Sequence, residues 1–138
     1  GGGGVGGDIR VGAIYIDGSS GENVLAHAYQ PLTELLSGGV PGSIGGDVHF
    51  DNSNSWSDGG GGSTIDFFTV ALHELGHSLG LGHSTVVGSV MEAIYAGSRR
   101  TLHADDIAGI QAIYGPVPGP ATFVIFAIGI IGIFRFSR

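Results

Sequence analysis

One run of eleven residues, His73-Glu74-Leu75-Gly76-His77-Ser78-Leu79-Gly80-Leu81-Gly82-His83, limits what this chain can fold into more than any other feature. His73 and His77 stand one helical turn apart, so their imidazoles leave the same face and can share a cation. Glu74 lies about 100° further round that turn. It sits beside such a cation without bonding to it, where it can take a proton from a water that the metal activates. Gly80 can adopt the left-handed conformation that ends a helix. The turn it makes brings His83 back as a third ligand and leaves a fourth position open. Background residue frequencies make a chance match roughly a one in 10⁵ event in a chain this long, which sets aside a helix with scattered histidines.

Composition bounds the rest. A chain of 138 residues allows one small domain. A net charge of −7 with no lysine argues against nucleic acid as a partner, and the same acidic balance suits a calcium-dependent surface. The absence of cysteine excludes disulfides and thiolate ligation, so zinc here would rest on histidine and carboxylate. Twenty-eight glycines and only 12% charged residues describe a loop-rich domain that gains from bound metals as staples.

The run is the His-Glu-x-x-His-x-x-Gly-x-x-His pattern of the metzincin metallopeptidases. Its surroundings resemble the matrixins, the matrix metalloproteinases and their bacterial relatives. Ser84 follows the third histidine, Met91 matches the methionine of the family's Met-turn, and Tyr95 matches the tyrosine after it. Residues 24–29 (VLAHAY) and 45–51 (GGDVHFD), followed by Trp56, are similar to the family's edge strand and metal-binding loop. Residues 105–115 (DDIAGIQAIYG) are similar to its C-terminal helix. The resemblance covers about residues 7–115, in the family's order.

It implies an α+β fold of the metzincin or zincin-like type, a twisted mixed sheet with an active-site helix and a C-terminal helix. It also implies a zinc-dependent endopeptidase. Zinc would be held by His73, His77 and His83, with Glu74 as general base. A polypeptide substrate would lie along Val24, Leu25 and Ala26, and a specificity pocket would be bounded by Met91 to Tyr95, with Ala93 replacing the family's usual proline. Matrixins also hold a structural zinc with three histidines and an aspartate. His27 and His49 match two of these, and no counterpart of the loop donating the others is found between Val11 and Asp17; ordinary strand histidines are the other reading. For calcium, Asp17, Gly18 and Asp51 match one family site, where Asn54 replaces a carboxylate. Asp8, the Ser43 and Gly45 carbonyls, and Asp47 match a second. Ordinary turn aspartates are the alternative.

The coarse layout expected is a strand over residues 8–16, a second over 23–29 and a third over 47–50. Residues 31–46 form an insertion, with a helical turn at 32–36. Ser63 or Thr64 is the expected N-cap of the helix carrying His73. On it Ile65, Phe68, Leu72 and Leu75 follow helical spacing and read as core. A final helix over 104–113 carries Asp105 and Asp106 in its first turn, where carboxylates suit the helix dipole, and ends at Gly115-Pro116. Residues 1–7 are a glycine-rich lead-in, and 8–115 a peptidase domain that lacks the family's first strand and helix, so the sequence reads as a fragment.

Residues 116–120 form a Pro/Gly linker, and 121–134 an apolar run ending in Arg135 and Arg138. Fourteen helical residues reach about 21 Å, short of a hydrocarbon core of about 30 Å. The combination resembles the PEP-CTERM sorting tails processed by a membrane transpeptidase, although Gly119 stands where those tails carry glutamate. A plain membrane anchor is the alternative. The arginines would face the cytoplasm, leaving the domain extracellular or associated with the cell envelope. A different class also fits: a catalytically impaired fragment serving as a surface-binding module. Intact Glu74 weighs against it, because a purely structural metal site has no need of that carboxylate.

Overall fold

The structure, a computed structural model, describes residues 9–17, 24–31 and 45–116. Asp8, Gly18, Ser43, the lead-in, the helical turn expected at 32–36 and the tail from 117 onward lie outside the described residues. Three strands form the main sheet: β1 (Val11–Ile14), β2 (Ala26–Ala28) and β3 (Val48–Asp51), in the order β1-β3-β2. β1 runs parallel to β3, with Val11 opposite Val48, and β2 runs antiparallel to it, with His27 opposite His49. The first two strands are shorter than their apolar patterns suggest. β3 offers only four paired residues between turns at Gly46 and Asn52, and a neighbour cannot pair beyond its partner.

β3 is the central strand and is buried as such, with Val48 and Phe50 in the core beside Val70. Leu25, Ala26, Ala28, Trp56, Ile65 and Tyr95 pack around them. Two short strands, β4 (Trp56–Ser57) and β5 (Ile65–Asp66), pair in parallel and bracket a loop whose four glycines, Gly59 to Gly62, all have positive φ. A helix follows directly, α1 (Phe67–Ser78), and a second, α2 (Ala104–Tyr114), closes the domain.

The start of α1 corrects two expectations. Neither Ser63 nor Thr64 caps it; Asp66 occupies the N-cap position and makes no side-chain cap bond. Ile65 and Asp66 are extended and paired with Trp56 and Ser57, and Ile65 N donates to Ser55 O at 2.9 Å, so helix cannot begin before Asp66. Ile65 therefore reaches the core from a strand. Phe68 and Leu75 are 43% and 37% exposed and are not core, while Leu72 is half-buried. The face turned inward carries Val70, Glu74 and Ser78 at a spacing of four. Ser78 Oγ donates to the Gly46 carbonyl at 3.2 Å, tying that face to the turn before β3.

α2 begins as its acidic first turn requires. His103 caps it, accepting from Asp105 N, and Asp106 reaches back to the His103 N–H at 2.8 Å, completing a capping box. Gly115, with φ of 83°, ends it. No helix among the described residues is long and apolar enough to cross a membrane.

Candidate active site

α1 delivers His73 and His77 one turn apart, and the chain reverses immediately after Ser78. Gly80 N donates to His77 O at 2.9 Å and Leu81 N to Gly76 O at 2.9 Å, with Gly80 at φ 95°. That is the paired bonding of a Schellman turn, which a residue with a Cβ adopts only with strain. It returns the chain so that ligand atoms of His73, His77 and His83 all lie within 4.8 Å of one another. Among the described residues this is the one group of three or more such side chains that converges.

The hydrogen bonds around the first two histidines fix what they can offer. His73 Nδ1 lies 2.8 Å from the Val90 carbonyl and His77 Nδ1 lies 2.8 Å from the Leu81 carbonyl. A carbonyl only accepts, so both Nδ1 atoms carry the proton and both Nε2 atoms present lone pairs. Those two Nε2 atoms face each other at 3.0 Å. Two lone pairs so close repel unless something positive lies between them. A tetrahedral zinc with bonds of about 2.0–2.1 Å sets its ligand nitrogens about 3.3 Å apart, so the residues fit the ion. Burial lowers the pKa of both rings, and the neighbouring histidines lower it further, against the raising effect of the carbonyls. Neutral imidazole, the form that ligates, is favoured.

Glu74 is 4% exposed, and its Oε2 is buried without a hydrogen-bond partner. Burial alone pushes its carboxyl up to about 7. It lines, with the three histidines, a cleft of about 620 Å³. One wall is the run from Val24 through β2, whose outer edge has no partner strand among the described residues. The other is the stretch from Glu92 to Gly97. Tyr95 belongs to that wall, and its hydroxyl accepts from Asp66 N at 3.0 Å, so it also braces the entry to α1.

Met91 is buried at 3% exposure beneath this cluster, and it is there because Gly76 has no side chain. A Cβ on Gly76 would lie 2.3 Å from Met91 Sδ. The turn bearing Met91 is held by Asp106, whose carboxylate accepts from Val90 N at 3.0 Å, Met91 N at 3.1 Å and the Ser89 hydroxyl. Burial raises the Asp106 carboxyl, but these bonds and that from His103 outweigh it and hold it below the usual carboxylate range. The sequence reading missed both roles. A glycine inside a helix costs about 1 kcal/mol against alanine and so signals a close approach; nothing in the sequence marked Asp106 as more than a helix-terminal acid.

The matrixin family model matches residues 10–115. This chain belongs to the matrixin family. It is 50% identical over 96 residues to matrilysin of Rattus norvegicus, an alignment covering 67% of this chain and 32% of that protein. It is 48% identical over 111 residues to interstitial collagenase of Oryctolagus cuniculus, covering 76% of this chain and 20% of the collagenase. The hatching enzyme of Paracentrotus lividus is 43% identical over 111 residues, covering 79% of this chain and 16% of that enzyme. The chain thus spans about a third or less of the length of these curated relatives.

Matrixins are zinc-dependent metalloendopeptidases with structural calcium, and the remaining metal candidates of this matrixin differ in fit. Asp17 Oδ1 and Asp51 Oδ2 are both buried without a hydrogen-bond partner, as is Asn54 Nδ2. Hydrogen bonds, first from Ser53 N and then from the Ser53 hydroxyl, Ile16 N and Asp17 N, outweigh burial and hold the Asp51 carboxyl at about 2. Two orphaned carboxylate oxygens on adjoining loops are a donor set that suits calcium. Of the second set, Gly45 and Asp47 are described. Both Asp47 oxygens accept from Arg10, Nε and Nη2 each at 2.7 Å, so that carboxylate already has a cation. His27 Nε2 and His49 Nδ1 meet at 3.0 Å across β2 and β3, with the Tyr29 ring edge-on to both.

Proposed function

We propose that residues 8–115 of this chain are a zinc-dependent endopeptidase domain of bacterial type that hydrolyses polypeptides outside the cell or at its envelope. The observation that carries this reading is a buried, unpaired carboxylate, Glu74, beside three converging histidines in a cleft walled by an open strand edge. His73, His77 and His83 would hold zinc, and when bound it would supply Lewis acidity and lower the pKa of water toward neutrality. Substrate adds to the outer edge of β2 as an extended strand, near Val24, Leu25 and Ala26, so backbone bonds orient the scissile peptide. Glu74 takes a proton from the attacking water and then returns it to the departing amine; burial, which raises its carboxyl, favours holding the proton between the two transfers. Met91 to Tyr95 bound the side-chain pocket, and Tyr95 is fixed there by its bond to Asp66 N.

Calcium at Asp17, Gly18 and Asp51 would brace the loops around β3; the Asp8, Ser43, Gly45 and Asp47 set would be a second site only with Arg10 displaced from Asp47. The alternation of a Pro/Gly linker at 116–120 and an apolar run at 121–134 supports a sorting tail cut by a membrane transpeptidase. Mass spectrometry of the mature C-terminus tests that point: loss of residues 121–138 is expected, and an intact Arg138 refutes processing in favour of a membrane anchor. For the activity, protein loaded with one equivalent of zinc should cleave an unfolded polypeptide, stop on chelation and recover on zinc return. Zinc bound without hydrolysis would overturn the enzymatic reading in favour of a surface-binding module.

A further inference from the structure

We propose that Gln30 is a positioning residue for the metal centre, tying the substrate-binding strand to the ligand His77. The proposal rests on the reading of His73, His77 and His83 as zinc ligands. The Leu81 carbonyl, which accepts from His77 Nδ1 at 2.8 Å, also accepts from Gln30 Nε2 at 3.0 Å, so both of its lone pairs are used. The Leu81 N–H is committed as well, to Gly76 O at 2.9 Å. The residue whose carbonyl orients His77 is therefore held at its N–H by the helix end and at its carbonyl oxygen by a side chain from 51 residues earlier.

Gln30 is itself held. Its neighbour Tyr29 donates its N–H to Asp47 O at 3.0 Å and accepts at its carbonyl from Gly46 N at 2.7 Å. Gly46 O in turn receives the Ser78 hydroxyl from the end of α1. Gln30 thus lies two residues beyond β2 on a segment fixed to the centre of the sheet, and reaches across to the turn that ends the metal-binding helix. His73 is treated differently: its carbonyl partner Val90 is anchored through Val90 N by Asp106. The residues whose carbonyls orient His73 and His77 thus have separate side-chain anchors, and that of His77 comes from the segment just beyond β2, whose strand forms a wall of the cleft. Ligand-orienting contacts of this kind are worth about 10–100-fold in metal affinity.

Zinc affinity by chelator competition on the full chain tests this, comparing the wild type with Gln30→Ala and Gln30→Glu. Both variants should bind zinc about tenfold or more weakly, while metal-free melting temperatures stay close to the wild type. Gln30→Glu keeps the size but loses the N–H, and at neutral pH turns a carboxylate oxygen toward the Leu81 carbonyl. Protonating that carboxyl restores an O–H donor, so the affinity of Gln30→Glu relative to Gln30→Ala should rise as pH falls toward 5. A residue that only filled space would show no such pH-dependent ratio. Affinities of both variants within twofold of the wild type would overturn the proposal. A wild type that binds no zinc would instead overturn the metal-centre reading on which it rests.

Discussion

Replacing Glu74 by glutamine separates the chemistry of the site from its stability, because the same burial sets both. The carboxyl is 4% exposed and its folded pKa is about 7, against 4.5 for an ordinary glutamate. The folded state therefore holds the proton more tightly than the unfolded one. Its stability is full below pH 4.5 and is lost progressively as pH rises to about 7. At 1.36 kcal/mol per unit, the metal-free protein above pH 7 gives up about 3 kcal/mol for keeping this acid buried. Glutamine does not ionise, so metal-free Glu74→Gln should melt roughly 10–20 °C higher than the parent at pH 8 and together with it at pH 4.5. Activity should move the other way. Two proton transfers, each worth about 10²–10⁴-fold, are removed, so kcat/KM should fall by about 10⁴ or more. Zinc stoichiometry should be unchanged, since all three histidines remain. Activity within tenfold of the parent, or a variant less stable at pH 8, would refute the reasoning.

Asp66 shows the opposite pH dependence: burial raises its carboxyl, but bonds from Thr69, Gly59 and Ser98 and the charge of Arg100 outweigh that and hold it at about 2. Its contribution is full above pH 3.8 and lost as pH falls through 2, so Asp66→Asn should cost about 1–2 kcal/mol at pH 7, after allowance for screening, and almost nothing near pH 2; urea melts at the two pH values measure this, and equal losses at both would refute it. A calcium-selective chelator should lower the melting temperature without removing zinc, since native-state binding at a hundredfold excess over Kd adds about 2.7 kcal/mol. Asp51→Ala should abolish the chelator's effect, and a melting curve indifferent to calcium would remove the proposed site. Gly76→Ala gains about 1 kcal/mol of helix propensity but overpacks Met91 by about 1–3 kcal/mol. A double-mutant cycle with Met91→Ala should therefore show coupling of at least about 1 kcal/mol, and additivity would place Met91 elsewhere.

The convergence of His73, His77 and His83 was legible in the sequence because all three come from one helix and one turn. Spacing along eleven residues fixes their relative placement before any tertiary contact is made, and Gly80 announced the reversal that returns His83. The fold was legible where a local signal and the tertiary demand agree. Asp105 and Asp106 announced the start of α2, and the strand expected over 47–50 forms at Val48–Asp51. The start of α1 was not legible. Ile65, Phe68, Leu72 and Leu75 have helical spacing, yet β4 claims the backbone at Ile65 and Asp66, and the helix begins in a phase set by Val70 against the sheet. The anchors of the orienting carbonyls, Gln30 and Asp106, were invisible for a related reason: each acts 16 or more residues away on a backbone group, and backbone groups leave no mark in a sequence.

Among the described residues, three fully or nearly buried aspartates supplement a small apolar cluster in holding the elements around the three histidines. Three fully apolar side chains, Val48, Phe50 and Val70, make up the main cluster. Around it, Asp51 gathers Ile16 and Ser53, holding β3 to the segment after β1. Asp66 gathers Gly59, Thr69 and Ser98, holding the glycine loop and the cleft wall to α1. Asp106 gathers Ser89, Val90, Met91 and His103, holding the Met91 turn to α2. Each carboxylate accepts enough donors to remain ionised against its burial. Hydrogen bonds to a charge are directional where dispersion is not, so such nodes fix orientation as well as proximity. Orientation is what the histidines require, because a lone pair turned away from the centre is lost as a ligand. Among the described residues, buried carboxylates thus add orientation to what the packing of Met91 against Gly76 already supplies beneath the three histidines.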